Sequence, residues 1–220
     1  AEDGVIYSYF IDPGESAVIP FSSGSGTYQV CCYQKIDGSQ YAALFADTLD
    51  ISLKNEFLPF LYPNQYVNFT PDSESSKLAL SIVSEDTSDV DALQAIYNYV
   101  VENLTYDYDL ADTVESGYIP DVDATLQSKK GICFDYASLT AAMLRARDIP
   151  CKLQIGYAGT VKHAWINVYI RSKGWVDKAI EFSGDSWSRM DPTFDSNSQD
   201  AETIQQYIGD DDNYSVQFTR

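Results

Sequence analysis

The sequence predicts an α+β protein in which a buried helix packs on an antiparallel sheet, preceded by a β-rich N-terminal region. The helix is predicted over residues 133–147, where apolar residues occur on nearly every face, as in helices buried in the middle of a fold. The sheet is predicted from apolar and polar residues that alternate after Pro150. The N-terminal region is rich in β-branched and aromatic residues and contains turn signals.

The first predicted elements form a hairpin. Residues 27–36 favour a strand, Asp37-Gly38 is a turn signal, and residues 41–45 can return as the second strand. Residues 49–53 alternate between apolar and polar side chains, which predicts a further half-buried strand. Prolines interrupt residues 59–71, so this stretch is expected to be a loop with short strand pieces.

A polar run at residues 72–76 marks the predicted domain boundary. It divides the chain into a β-rich N-terminal region at residues 1–75, which could form a small sandwich, and a second domain at residues 76–220. The chain has 220 residues, of which 45% are hydrophobic, so it can bury a sizeable core and the composition excludes a disordered chain.

The second domain is predicted to contain an amphipathic helix that starts near Ser88. Ser88 and Asp91 have the spacing of a capping box, and the apolar residues at 93–104 fall on one helical face. The acidic and aromatic stretch at residues 106–121 is expected to be a loop. Four later strands are predicted from alternation and turn signals, at residues 151–157, 163–170, 175–180 and 214–218.

The chain is strongly acidic. It has 33 acidic and 14 basic residues, which give a formal net charge of −19. Such a surface repels phosphate groups, so we expect no binding to nucleic acid or to an anionic membrane surface. No apolar run approaches the length of about 18 residues that a membrane span needs, so membrane insertion is not expected.

The four cysteines do not define a metal site or a disulfide framework. None of them belongs to a C-x-x-C pair and the chain has a single histidine, so no metal and no organic cofactor is expected. Cys31 and Cys32 are adjacent in a predicted strand and should point to opposite faces. Together with Cys151, they are expected to behave as small buried hydrophobic residues.

Cys133 is the candidate nucleophile. It begins the predicted buried helix, whose free N–H groups and partial positive charge favour a thiolate and could bind a developing oxyanion. His163, the sole histidine, starts a predicted strand and is the candidate base. Asp191 is the candidate acid that orients the imidazole, with Asp177 and Asp185 as the next choices.

The segments around these residues follow one another in a recognisable order. They are Gly131-Ile132-Cys133-Phe134-Asp135-Tyr136-Ala137, Ile149-Pro150, Gly156-Tyr157, His163-Ala164-Trp165, Gly174-Trp175 and Asp191-Pro192-Thr193. In their order and flanking residues they resemble the transglutaminase-like superfamily over residues 88–195. The resemblance implies a papain-like transglutaminase core, with Cys133 as nucleophile, His163 as base and Asp191 as the orienting acid. The calcium-binding segments of animal transglutaminases are not recognisable.

Three further side chains are candidates for the oxyanion hole and the substrate groove. Gln127 lies six residues before the candidate nucleophile, where papain-like enzymes often hold an oxyanion-hole glutamine. Trp165 should share a strand face with the candidate base, and Trp187 precedes the candidate acid by four residues, so either indole could cover the thiol. A solvated position for Gln127 and an ordinary core position for Trp165 are the alternatives. Asp135 is expected to accept a hydrogen bond within the first helical turn.

The resemblance implies thiol-dependent acyl transfer on a peptide or protein amide, through a thioester on Cys133. Hydrolysis by a peptidase or amidase is favoured over the crosslinking of glutamine to amines by a true transglutaminase. A non-catalytic surface binding module with a vestigial triad is the remaining alternative. The expected partners are peptide or protein substrates, including cell-wall peptide. The acidic, tyrosine-rich and lysine-poor composition favours the extracellular space or the cell surface of a bacterium, with a leader already removed.

Overall fold

The computed structural model describes residues 4–181 and 214–220, and the α+β class that the sequence predicts is confirmed. A short 3-10 helix at Leu58–Phe60 lies in the proline-rich stretch, which is otherwise a loop. In chain order, the strands and α-helices of these residues are β1 (Gly26–Asp37), β2 (Gln40–Ile51), α1 (Glu74–Ile82), α2 (Asp89–Asn103), β3 (Thr105–Tyr106), α3 (Tyr108–Thr113), α4 (Val122–Ser128), β4 (Lys130–Gly131), α5 (Cys133–Arg145), β5 (Cys151–Ala158), β6 (Val161–Ile170), β7 (Gly174–Glu181) and β8 (Tyr214–Thr219).

A four-stranded antiparallel sheet with the order β7-β6-β5-β8 forms the centre of the fold. Helix α5 packs on β5 and β6, and it is buried along almost its whole length, as its apolar sequence predicts. The alternation in β6 directs one set of its side chains into the same buried cluster as α5. Those side chains are Ala164, Ile166, Val168 and Ile170.

Helix α2 begins where its capping residues predict. The Ser88 side chain accepts a hydrogen bond from the backbone N–H of Asp91, and its hydroxyl donates to the Asp91 carboxylate at 2.7 Å. The apolar face of the helix, with Leu93, Ile96 and Val100 buried, packs on α5. The sequence was sufficient to predict α2 because its cap and its apolar face lie within one continuous segment.

Strands β1 and β2 form one long antiparallel hairpin, so the predicted hairpin is confirmed. The separate strand expected at residues 49–53 is instead the end of β2. The outer part of the hairpin is exposed on both strands. Cys31 is exposed and Cys32 is half-buried, so the expectation that both are buried is wrong, whereas Cys151 is buried.

Helix α1 begins within the polar run at residues 72–76 and was not predicted, and α3 lies in the stretch at residues 106–121 that was expected to be a loop. Residues 74–82 form α1, because Asp123 accepts hydrogen bonds from the backbone N–H groups of Glu74 and Ser75, each at 3.0 Å. Residues 108–113 form α3, whose first turn is capped by Asp107 through the backbone N–H of Leu110. The predicted domain boundary at residues 75 and 76 falls inside the first turn of α1.

Buried side chains from residues 60–69 join the core that α5 and the central sheet form. Tyr66, Val67 and Phe69 are buried in this core. Arg145 of α5 is buried as well, and its guanidinium donates to the carbonyl oxygens of Tyr62 and Cys151 and of Arg220. Burial lowers the pKa of Arg145 to about 10. A single buried cation therefore holds three separate chain segments around the C-terminal end of α5.

Candidate active site

Cys133 is the first residue of α5 and is almost fully buried, with 9% of its surface exposed. The residue before it, Ile132, has an extended backbone and ends the approach to the helix. The backbone N–H groups of the first turn of a helix have no partners within the helix and give this end a partial positive charge. The thiol therefore lies where a thiolate and an oxyanion would both be stabilised.

Asp135 fixes the backbone around Cys133. One carboxylate oxygen accepts from the backbone N–H of Ile132 at 2.8 Å, which confirms the hydrogen bond expected within the first turn, and the other accepts from the Tyr118 hydroxyl at 2.7 Å. Burial raises the pKa of Asp135, although these two hydrogen bonds oppose the rise. A Cβ on Gly131 would lie 2.7 Å from the Asp135 Cβ, so the residue before the turn must be glycine for this cap to form.

Tyr106 is a functional candidate that the sequence did not reveal. Strands β3 and β4 pair in parallel, with Tyr106 opposite Gly131, and this pairing brings the phenol to Cys133. Burial is the main cause that raises the pKa of Tyr106 to about 12. The charge of Cys133 and a hydrogen bond with its thiol add to the rise, and a hydrogen bond with the Cys133 backbone opposes it. The hydroxyl therefore keeps its proton at neutral pH.

His163 lies near the start of β6, opposite Gly156 of β5. Its ring stacks on the ring of Trp165 with 6.5 Å between centroids and 19° between planes, so the two side chains share a strand face as predicted. Trp165 is only 2% exposed. The buried indole therefore shields one side of the imidazole from solvent.

Gly156 allows β8 to approach this face. A Cβ at this position would lie 1.9 Å from the Ser215 carbonyl oxygen and 3.0 Å from the Trp165 ring. The β5–β8 register also shifts between Ile155 and Gly156. Only glycine leaves room for both neighbours, which is a physical reason for glycine at the strand position opposite His163.

Of the remaining predicted site residues, one is exposed to solvent and the others lie outside the part of the chain that the structure describes. Gln127 is exposed on α4. Trp187, Asp191 and Asp185 lie outside the described residues, and the side chain of Asp177 in β7 is likewise outside them. The structure therefore brings together the elements that carry Cys133 and His163, and the catalytic roles of the three predicted triad residues stay predictions.

Asp107 lies near the start of α5, where it pairs with a lysine and belongs to no metal site in the described ranges. Lys130 pairs with Asp107 at 3.0 Å, and the backbone and side-chain hydrogen bonds of Asp107 lower its pKa. Within residues 4–181 and 214–220, no group of three or more histidine, cysteine, aspartate or glutamate side chains is placed to hold a metal ion. In the same ranges, no helix is long and apolar enough to cross a bilayer.

A cysteine at the start of a buried helix, packed on an antiparallel sheet that carries a histidine, defines the papain-like class of α+β proteins. Residues 76–192, more than half of the chain, match the Transglutaminase-like superfamily, and the chain belongs to this family. The family resemblance found in the sequence motifs is thereby confirmed.

Individual relatives are more distant. A segment of 74 residues is 35% identical to the UPF0252 protein of Methanocaldococcus jannaschii and covers 31% of this chain and 21% of that protein. A crystal structure from Cytophaga hutchinsonii, described as a candidate cysteine protease, is 20% identical with a TM-score of 0.49, over 76% of this chain and 48% of that chain. The periplasmic domain of TgpA from Pseudomonas aeruginosa is 19% identical with a TM-score of 0.44, over 58% of this chain and 46% of that domain. The chain thus spans about a fifth of the curated relative and just under half of each solved chain.

Proposed function

We propose that the protein is a thiol-dependent acyl-transfer enzyme that acts on peptide or protein amides. The position of Cys133 at the first turn of α5 supports this most directly, because the helix N-terminus stabilises both the thiolate and the oxyanion that the reaction needs. The Cys133 sulfur attacks the amide carbonyl carbon, and the C–N bond breaks to leave a thioester. His163 takes the thiol proton and returns it to the leaving amine, and Asp191 orients the imidazole.

Tyr106 is proposed as the side-chain donor to the oxyanion. Its hydroxyl interacts with Cys133, and its high pKa keeps a proton available to an oxygen that becomes negative in the transition state. Gln127 was the sequence-based candidate for this role, but it is exposed on α4. The backbone N–H groups at the start of α5 complete the proposed oxyanion hole.

Water is the proposed acceptor of the acyl group, so that hydrolysis exceeds crosslinking. Water attacks the thioester carbon, the C–S bond breaks, and a carboxylic acid and the free thiol result. A transferase must exclude water while it admits an amine. The acidic surface, which would attract lysine-bearing acceptors at low salt, favours the alternative of a true transglutaminase.

A partition experiment separates these two enzymes. A glutamine-containing protein substrate is supplied with millimolar dansylcadaverine, and released products are compared with incorporated label. We expect hydrolysis to exceed incorporation in the wild-type protein and both to vanish in Cys133→Ala and His163→Ala. Label incorporation above hydrolysis would make this a true transglutaminase.

Brief labelling with iodoacetamide at pH 6 tests the remaining alternative, a non-catalytic binding module. An activated Cys133 should react before the other thiols, although it is buried and Cys31 is exposed. Cys151 should not react at all, because burial raises its pKa to about 12. Labelling of Cys31 ahead of Cys133 would favour the binding module.

The substrate is proposed to be a peptide, with cell-wall peptide as one candidate, and the location to be extracellular or at a bacterial cell surface. The acidic composition supports the location, because it fits a solvated surface that does not bind nucleic acid. Activity of intact bacteria against an added peptide amide, compared with a strain that lacks the protein, would test the location.

A further inference from the structure

Residues 5–10, here called the strap, cross the protein as an extended peptide. Their burial alternates: Val5, Tyr7 and Tyr9 are half-buried, whereas Ile6 is 81% exposed and Phe10 is 52% exposed. A period of two is that of a β-strand with one side against a surface. The strap therefore lies in a groove without belonging to the sheets of the fold.

Side chains of the body recognise the backbone of the strap. The amide of Gln65 binds Phe10 twice, since its oxygen accepts from the Phe10 N–H and its nitrogen donates to the Phe10 carbonyl. The Tyr66 hydroxyl donates to the Ser8 carbonyl at 2.9 Å. Recognition of this kind depends on an extended backbone and accepts other sequences in the same conformation.

Arg220 forms the floor of the groove. Its side chain is buried, with 4% of its surface exposed, and its guanidinium lies 4.9 Å from the ring centroid of Tyr7, 4.6 Å from Tyr9 and 4.3 Å from Tyr66. The alternate tyrosines of the strap thus bind one cation through their faces. Its Nε and Nη1 have no hydrogen-bond partner among the described residues, whereas its Nη2 lies 3.5 Å from the Ser8 carbonyl oxygen of the strap.

The groove borders the candidate active site. The Tyr66 ring stacks on Phe134, which directly follows Cys133, with 6.0 Å between centroids and 20° between planes. At the Phe10 end, a Cβ on Gly117 would lie 3.5 Å from the Phe10 ring, so the strap also contacts the loop whose Tyr118 holds the cap of α5. The strap therefore contacts both Tyr66, which packs on Phe134, and the loop that carries Tyr118. Both of these contact the first turn of α5.

We propose that Gln65, Tyr66, Phe134 and Arg220 form a binding groove for an extended peptide with aromatic side chains at alternate positions, and that the strap occupies this groove in cis until a substrate peptide displaces it. The inference rests on the proposed function, because it assigns the groove to the substrate of the thiol site. The strap is displaceable since both hydrogen bonds between Gln65 and Phe10 are exposed to solvent. A tethered segment competes at an effective concentration of about a millimolar, so free peptide should bind weakly to the intact chain.

Peptide binding tests the groove without reference to catalysis. The probe is a fluorescein-labelled peptide with the sequence of residues 5–10, Val-Ile-Tyr-Ser-Tyr-Phe, and the readout is fluorescence anisotropy in full-length Cys133→Ala protein. Tyr7→Ala combined with Tyr9→Ala should empty the groove and tighten the binding of the probe at least tenfold. The matched control is Ile6→Ala, which changes an exposed strap residue and should bind as weakly as the parent.

A second variant tests the proposal independently, in case the tyrosine double variant does not fold. A protease site inserted after Gly14, in the exposed turn at residues 12–15, lets the strap be released by cleavage of the folded protein. Cleavage and dilution should also tighten binding, and Gln65→Ala should weaken it again. Equal binding by the double variant and the Ile6→Ala control, or no gain on cleavage, would overturn the proposal.

Activity distinguishes failure of the groove from failure of the proposed function. In the protein that retains Cys133, the tyrosine double variant should lower KM for an aromatic peptide amide about tenfold and leave turnover of a small thiol-reactive ester unchanged. Tight probe binding with no turnover in any variant would refute the function and keep the groove. Turnover without a gain in probe binding would refute the groove and keep the function.

Discussion

The hydroxyl of Tyr106 is the proposed side-chain donor to the oxyanion, and its role can be measured separately from that of the Cys133 thiol. Tyr106→Phe should lower kcat about 100-fold and change KM little, because an oxyanion donor acts mainly in the transition state. Steady-state kinetics on a peptide amide measure both constants. Iodoacetamide labelling of Cys133 checks that the thiol is unchanged. A Tyr106→Phe variant with wild-type kcat would assign the phenol to packing.

The pH dependence of this donor has a definite sign. The hydroxyl donates while it is protonated, and burial and Cys133 raise the pKa of Tyr106 to about 12. The contribution is thus present below pH 12 and lost only above it. A fall in rate between pH 8 and 10 in the wild-type protein would therefore come from another group, and the same fall should persist in Tyr106→Phe.

At the scale of the elements, Gly156 sets how closely β8 approaches β5. Gly156→Ala should lower the free energy of unfolding by about 3 kcal/mol, since its Cβ would overlap the Ser215 carbonyl and the strand must move. The control is Gly159→Ala in the β5–β6 turn, where a Cβ has open space and only the left-handed backbone costs about 1 kcal/mol. Urea unfolding of both variants measures the difference, and equal losses would contradict the packing argument.

The ion pair between Asp89 and Arg171 joins α2 to the turn after β6. Asp89 accepts from the backbone N–H of Arg171 at 2.8 Å and from its Nε at 2.9 Å. Burial alone would raise the pKa of Asp89, but the hydrogen bonds and charge of Arg171 outweigh it and lower the pKa below the ordinary value. A lowered carboxyl pKa contributes stability above the pKa of the unfolded chain, near 4, and this stability is lost as pH falls through the folded pKa.

Asp89→Asn should therefore cost about 1–2 kcal/mol at pH 7, a value reduced because the Arg171 side chain is 72% exposed. The cost should be smaller at pH 3 than at pH 7, because the stability that the lowered pKa of Asp89 contributes is lost as the pH falls through that pKa. Urea unfolding at both pH values measures it, and Arg171→Gln should reproduce the loss at pH 7. An Asp89→Asn cost that does not change with pH would show that packing of α2, and not the charge, is responsible.

Elements with their own periodicity or cap were predictable from the sequence, whereas elements that depend on distant residues were not. The hairpin, α2, α5 and the strands of the central sheet were predictable because each carries its own period or cap. The start of α1 was not, because its cap is Asp123, 49 residues further along the chain. Tyr106 was missed because a two-residue strand such as β3 has no periodicity, and its place beside Cys133 comes from pairing with β4.

The two parts of the chain before α1 differ in how much they contribute to the core. The outer hairpin is exposed, and β1 and β2 pair with each other, whereas Val67 is fully buried and the Tyr62 carbonyl accepts from buried Arg145 at 2.9 Å. Replacing residues 26–51 with a short glycine-serine linker should shift Tm by less than about 5 °C, because little apolar surface of the core becomes exposed.

Cutting the chain before residue 76 should have the opposite result. The cut removes buried Tyr66, Val67 and Phe69, and it leaves a buried Arg145 donor without the Tyr62 carbonyl, at a cost of about 1–3 kcal/mol for that donor alone. The cut also falls inside the first turn of α1, so the helix loses the N–H groups that Asp123 binds. We expect the fragment 76–220 to be insoluble or to unfold without a cooperative transition in calorimetry, while the hairpin-deleted protein unfolds cooperatively. A soluble fragment 76–220 with a sharp transition would mean that the segment before α1 covers a core that is already complete.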